Sequence, residues 1–114
     1  QKIEEVIKKV NKILTDAGFV EGKTFKETRF LRPPTTTYAV YKDSFRRRGA
    51  DGMNMKKEHN CTIELYEYAP DPNAERRLEE TFDKLGIEFE KADRYWIQEE
   101  QLYQIVYDFD HIEK

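Results

Sequence analysis

One cysteine, two histidines, five glycines and four prolines among 114 residues put several kinds of protein out of reach. Cys61 has no second thiol to pair with, so the chain can form neither an internal disulfide nor a thiolate cluster for zinc, and a reducing, intracellular site of folding is expected. Neither His59 nor His111 lies three or four residues from another histidine or cysteine, as a zinc site requires; both are expected on strand surfaces. Gly49 and Gly52 stand between strand-like segments rather than ahead of a helix, so no phosphate cradle is formed. No apolar run approaches the ~20 residues that cross a bilayer, and the N-terminus lacks the apolar core of a signal peptide. The chain begins at Gln1 rather than methionine, which points to trimmed or missing leading residues. An excess of one charge is also lacking. Twenty Lys and Arg against 23 Asp and Glu give a net charge of -3, which offers no long-range attraction to a nucleic-acid backbone, so any basic patch must be local.

What is present is a high charged fraction, 38%, combined with seven tyrosines, seven phenylalanines and one tryptophan. Aromatic residues in that number offset the entropy of ordering, so a folded, soluble domain is expected rather than a disordered polyelectrolyte. At this length the chain, 1–114, reads as one domain with one core, burying roughly two-thirds of its unfolded surface. No repeat, low-complexity tract or linker divides it.

Ile3, Val6, Ile7, Val10, Ile13 and Leu14 recur at three- and four-residue steps, which predicts an amphipathic helix over 2–17 with Gly18 ending it. From Phe19 to Arg32 the pattern weakens and fits either a short strand or an ordered loop. Pro33-Pro34 opens a new element, and 35–45 alternates as a strand. Arg46 to Asn54, with its two glycines, reads as a mobile hairpin loop. The strand 57–68 places Cys61, Ile63 and Leu65 on one face and Thr62, Glu64, Tyr66 and Tyr68 on the other. Asp71-Pro72 is an N-cap with proline at the first helical position, and Glu75 adds negative charge near the positive end of the dipole. Ala74, Leu78, Phe82 and Leu85 form the buried stripe of this second helix, and Gly86 stops it. Ile87–Phe89 and Tyr95–Ile97 suggest a hairpin partner for a last strand over 103–109. The order is αβββαββ or close to it. The expected fold class is α+β: a mainly antiparallel sheet with two helices packed on one face.

No arrangement of side chains points to catalysis. Asp71 with Glu88-Phe89-Glu90-Lys91 is a near miss to the carboxylates and lysine of a metal-dependent nuclease, but Phe89 occupies the position two before Lys91 where a carboxylate is needed, and Asp71 is better used as a cap. Cys61 shares the apolar face of Ile63 and Leu65, where a thiol behaves as a small hydrophobe rather than a nucleophile. No catalytic, metal or cofactor-binding residue is therefore assigned. Two features suit contact with a partner. Arg46, Arg47 and Arg48 with Lys56 and Lys57 gather five positive charges beside Gly49, Asp51, Gly52 and Met53, either as a solvated loop or as an arm that orders against an acidic protein or DNA. Tyr66 and Tyr68, with Tyr38 or Tyr41, are expected on the sheet face the helices leave uncovered, where tyrosine serves either an interface or simple β-propensity.

Thr37-Tyr38-Ala39-Val40-Tyr41, the loop with Gly49-Ala50-Asp51, the strand His59 to Tyr66, the helix starting near Asp71 with Glu75 and Leu78, and the closing Tyr103 to Phe109 resemble the tail terminator proteins of long-tailed bacteriophages and prophages, also called tail completion or head-to-tail joining proteins. The resemblance covers nearly the whole chain. It implies a non-enzymatic, oligomeric structural protein: a hexameric ring that stops growth of the tail-tube protein and presents a surface to the head connector or head-closure protein. Such a protein works in the host bacterial cytoplasm during virion assembly and then at the tail–head junction, passing DNA without specific binding and without a membrane. The loop 45–55 would be the assembly arm. The triple arginine departs from what a DNA conduit would be expected to carry, and 19–32 has no counterpart in the family picture. The competing expectation is a small adaptor that binds nucleic acid or protein through residues 46–57.

Overall fold

The computed structural model describes the backbone of residues 2–48 and 56–113 and the side chains of residues 8–42 and 60–110. Along the chain run α1 (Lys2–Asp16), β1 (Phe25–Glu27), β2 (Tyr38–Arg48), β3 (Lys56–Glu67), α2 (Pro72–Lys84), β4 (Glu90–Lys91), β5 (Tyr95–Ile97) and β6 (Leu102–Glu113). The strands form one sheet of order β1-β2-β3-β6-β4, and β5 pairs β6 on the same side as β4. Only β1 and β2 are parallel; every other pair is antiparallel, so the α+β expectation holds.

Both helices end alike. At α1 the amide of Gly18 donates to Thr15 O and that of Phe19 to Leu14 O; at α2 Gly86 donates to Asp83 O and Ile87 to Phe82 O. These are Schellman caps, which need a left-handed residue just past the helix, and Gly18 (φ 99°) and Gly86 (φ 70°) supply it. Arg77 of α2 donates from Nε to Ala17 O, tying the end of α1 to its neighbour. At the start of α2 the Asp71 carboxylate accepts from Ala74 N at 3.2 Å and from the Thr37 hydroxyl at 2.6 Å. The Thr37 hydrogen bond leads in holding that carboxyl below its ordinary range.

The helices cover one face of the sheet. Val10, Ile13 and Leu14 of α1 with Ala17 just past its end, and Ala74, Leu78 and Phe82 of α2, close over Ala39 and Tyr41, Cys61, Ile63 and Leu65, and Ile105, Tyr107 and Phe109. Those sheet residues alternate along each strand, which places them on one face.

The opposite face is covered at one end only. Thr28 sits at φ 70° with Arg29 N donating to Glu27 O at 2.7 Å, a γ-turn that ends β1 and carries the chain across that face. Phe30 then meets Tyr38 edge-on at 5.5 Å, over a second small cluster of Tyr38, Val40 and Leu102 with Tyr66 and Ile97 against it.

Three sequence readings are corrected. Arg46, Arg47 and Arg48 are not in a loop: β2 continues to Arg48 and pairs with β3 down to Lys56, while Gly49, Asp51, Gly52 and Met53 lie outside the described residues. Ile87–Phe89 is not a strand, because Ile87 closes the α2 cap and Phe89 stacks on Phe82 at 4.7 Å. β4 and β5 each pair with β6 and not with one another. The ambiguous segment 19–32 contributes β1, whose three residues pair Phe25↔Ala39 to Glu27↔Tyr41.

Candidate assembly surface

The expected interface tyrosines do not share one surface. Tyr38 and Tyr66 lie on the face away from the helices and stack at 5.1 Å, but Tyr38 is only 4% exposed, sealed beneath Phe30. Of the two alternatives, Tyr38 or Tyr41, it is Tyr38 that lies on this face; Tyr41 belongs to the helix-covered core, near Phe25. Tyr68 is exposed and donates its hydroxyl to Pro34 O at 2.7 Å. Burial pushes the Tyr38 hydroxyl up to about 12. Tyr66 is raised by burial and by the hydrogen bond it donates to Glu64 at 2.9 Å, so both stay neutral donors at any ordinary pH. Besides Tyr68, the exposed large aromatics among the described residues are Tyr95 and Trp96, whose ring packs on Tyr103 at 4.8 Å. The sequence signal for them was the alternation Tyr-Trp-Ile at 95–97, which must turn at least one ring away from the core.

Further along β2, β3 and β6 the uncovered face becomes polar. Lys42 Nζ lies 3.5 Å from Glu64 Oε2, the Thr62 hydroxyl donates to Asp108 at 2.6 Å, and Asn60 Nδ2 donates to Asp110 at 3.1 Å. The three strands continue past these pairs in unbroken register, and this arm carries the basic cluster singled out in the sequence. Arg46 pairs with Glu58, but Arg47 stands opposite Lys57 and Arg48 opposite Lys56. Like charges at opposite positions of a ladder repel, and on the other side of β3 the register sets Glu113 opposite Lys57.

Both edges of the arm are open among the described residues. β1 covers the outer edge of β2 only as far as Tyr41, whose carbonyl accepts from Thr28 N, so 42–48 has no partner strand. β4 covers β6 only to Asp108, which leaves 109–113 unpaired on that side. There the chain leading into β4 turns inward as Phe89 stacks on Phe82, opening a cavity of about 620 Å³ beside the β6 edge. Glu88, Glu90, Asp108 and Asp110 line it together with Lys9.

A group of charges that the sequence reading did not assemble lies under the other end of the sheet. Glu67 is fully buried, and Arg94 Nε stands 3.4 Å from its Oε1. Arg94 Nη2 also donates to Glu75 at 2.6 Å, Lys91 bridges Glu75 (3.2 Å) and Glu79 (2.7 Å), and the Tyr107 hydroxyl donates to Glu79 at 2.8 Å. As a carboxylate Glu67 is favoured only by the Asp71 backbone and the Arg94 charge, which burial outweighs; protonated, it donates to Glu75. Burial, then that hydrogen bond and the Glu75 charge, raise the Glu67 carboxyl to about 7. Burial also pushes Glu75 upward, but Glu67, Arg94 and Lys91 outweigh it and hold Glu75 below its ordinary range. This cluster takes Lys91 away from Asp71, Glu88 and Glu90, and among the described residues no group of three acidic, histidine or cysteine side chains is placed to hold a metal ion. No helix among the described residues is long and apolar enough to cross a membrane.

The sequence matches no protein-family model and no curated protein. Its fold has a solved counterpart in a chain of the "Virion of native gene transfer agent (GTA) particle", with a TM-score of 0.57 over 86% of this chain and 81% of that one. At 13% identity the likeness is one of fold alone.

Proposed function

We propose that this protein is a structural component of a phage-type particle, a non-enzymatic protomer that forms a ring on the end of the tail tube and joins it to the head connector. The observation that carries this reading is the fold shared with a chain of a gene transfer agent virion over most of both chains. The resemblance to tail terminators, stated from the sequence, points the same way. So does the arm, since two open strand edges and two like-charged rungs suit a protomer that is completed by neighbours. In this role the protein assembles in the bacterial cytoplasm and ends at the tail–head junction, and DNA passes it without specific recognition.

The test is reconstitution with the cognate tail-tube protein, followed by electron microscopy and sedimentation. Rings seated on tube ends, with tubes of limited length, are the expected result; a chain that stays monomeric at every concentration and ignores the tube ends overturns it. The adaptor reading, favoured by the like-charged rungs Arg47↔Lys57 and Arg48↔Lys56, predicts instead nucleic-acid binding that falls steeply with salt and disappears when Arg46, Arg47 and Arg48 become alanine.

A further inference from the structure

We infer that the ring closes by strand addition: the basic outer edge of β2 in one copy pairs with the acidic outer edge of β6 in the next. This rests on the ring-forming reading above and adds the joint.

An unpaired strand edge is a row of unmet backbone donors and acceptors, and proteins either shield such edges or use them. At ~3.3 Å per residue the open edge 42–48 is about 23 Å long and 109–113 about 17 Å, so either can hold a full partner strand. Charge selects the partner. The β2 edge carries Lys42, Arg46, Arg47 and Arg48 against Asp43 alone; the β6 edge carries Asp110 and Glu113, and the cavity beside it adds Glu88 and Glu90. β2 against β2 sets basic on basic, and β6 against β6 sets acidic on acidic, so both two-fold pairings are repelled. Only the unlike pair attracts. Contacts between unlike patches generate rings or filaments rather than closed dimers.

Geometry agrees with charge. β2 and β6 are each antiparallel to β3 and therefore run in the same direction. Rotation about a ring axis lying roughly along the strands preserves that direction, so the joint is a parallel pair. The shared rungs of β3 set the open 43–47 level with the open 109–113 and Arg47 level with Glu113, while Lys42 comes level with the rung where Glu90 of β4 ends its cover of β6. Copies related without stagger therefore bring opposite charges together at the far end of the joint and Lys42 toward the acidic end of β4. The neighbour's Glu113 thus comes level with Arg47, and the arms join into one band of three strands per copy.

Two charge-reversed chains test this. One carries Arg46→Glu, Arg47→Glu and Arg48→Glu; the other carries Glu90→Lys, Asp110→Lys and Glu113→Lys. Each alone is expected to lose ring formation, with apparent association at least about tenfold weaker by sedimentation velocity with tube protein present. An equimolar mixture should regain it, because alternating copies restore opposite charges at every joint. In the wild-type chain, amide exchange over 42–48 and 109–113 should slow on assembly, a readout independent of whether the variants fold. Rings that form normally from either variant, a mixture that stays dissociated although both variants are folded by circular dichroism, or arm-edge amides that exchange equally fast in ring and monomer would each sink the joint while leaving the ring standing. A wild-type chain that never assembles sinks both.

Discussion

The same three strands, β2, β3 and β6, behave as two different structures at their two ends. At the base, both faces are closed: Ala39, Tyr41, Ile63, Leu65, Ile105 and Tyr107 lie under the helices, and Tyr38, Val40 and Leu102 lie under Phe30 and Ile97. Towards the arm, the uncovered face carries Asn60, Thr62, Asp108 and Asp110, which bond to one another and shield nothing apolar. The backbone register runs through both without a break. Burial therefore anchors the base while the ladder carries the same register on into the arm, so stability and recognition can be altered separately.

The base should answer most strongly to substitution. Phe82 is fully buried and its ring meets Phe89, Tyr107 and Phe109 within 6.0 Å. Phe82→Ala should cost about 3–5 kcal/mol in urea unfolding, through lost transfer energy and the cavity left behind. A loss below about 1 kcal/mol would show that the base is not the anchor.

The charge cluster under the base comes next, and it makes the base sensitive to pH. Below the ordinary glutamate value of 4.5 both the folded and unfolded chains hold the Glu67 proton; between there and about 7 the unfolded chain gives it up while the folded chain keeps it. Stability from this group is thus complete at low pH and is lost as pH rises through 7, by on the order of 3 kcal/mol. Glu75, held below its ordinary range, works in the opposite sense and loses its contribution as pH falls below about 4.5. Melting temperature should peak near pH 5 and decline toward pH 8. Glu67→Gln should flatten that decline and raise stability at pH 8, whereas Arg94→Ala should lower it by about 2–3 kcal/mol by leaving Glu67 without its cation and Glu75 with Lys91 alone. An unchanged slope between pH 5 and 8 in Glu67→Gln would place the titrating group elsewhere.

Much of the base was legible in the sequence because its signals are local. Three- and four-residue spacing marked Val10, Ile13, Leu14, Leu78 and Phe82; Asp71-Pro72 marked a helix start, and Gly18 and Gly86 marked two stops. The arm was read as loop from Arg46 onward because arginine runs and nearby glycines resemble a turn, and a ladder's length is set by its partner strands rather than by its own residues. The Glu67–Glu75–Arg94 cluster was invisible for a similar reason. Its members come from β3, α2 and the stretch between β4 and β5, and only the fold brings them together. Tyr41 was ambiguous between two faces because tyrosine serves either; its rung opposite Ile63 decided it.

A smaller effect is expected where the base receives its second cover. Thr28 holds φ 70°, a conformation that costs a β-branched residue on the order of 1 kcal/mol or more, and its side chain is exposed. Thr28→Gly should therefore raise stability by up to about 1 kcal/mol, relieving the turn while Phe30 stays on Tyr38. A loss of stability would mean that the threonine side chain, not the backbone turn, secures that cover.

The smallest effect on the isolated protomer should come from the arm arginines. Arg47 and Arg48 stand opposite Lys57 and Lys56 in the ladder, so Arg47→Ala or Arg48→Ala removes a like charge from its rung. Unfolding free energy should stay within about 0.5 kcal/mol of wild type, or rise slightly, with the rise shrinking as salt screens the pair. Assembly should move the opposite way, since the same residues supply the charge that a neighbouring acidic edge needs. A variant that gains protomer stability while losing rings separates the two ends of the sheet as the comparison requires. A variant that loses both in proportion would show that the arm is part of the core, and that the division between anchor and joint is mistaken.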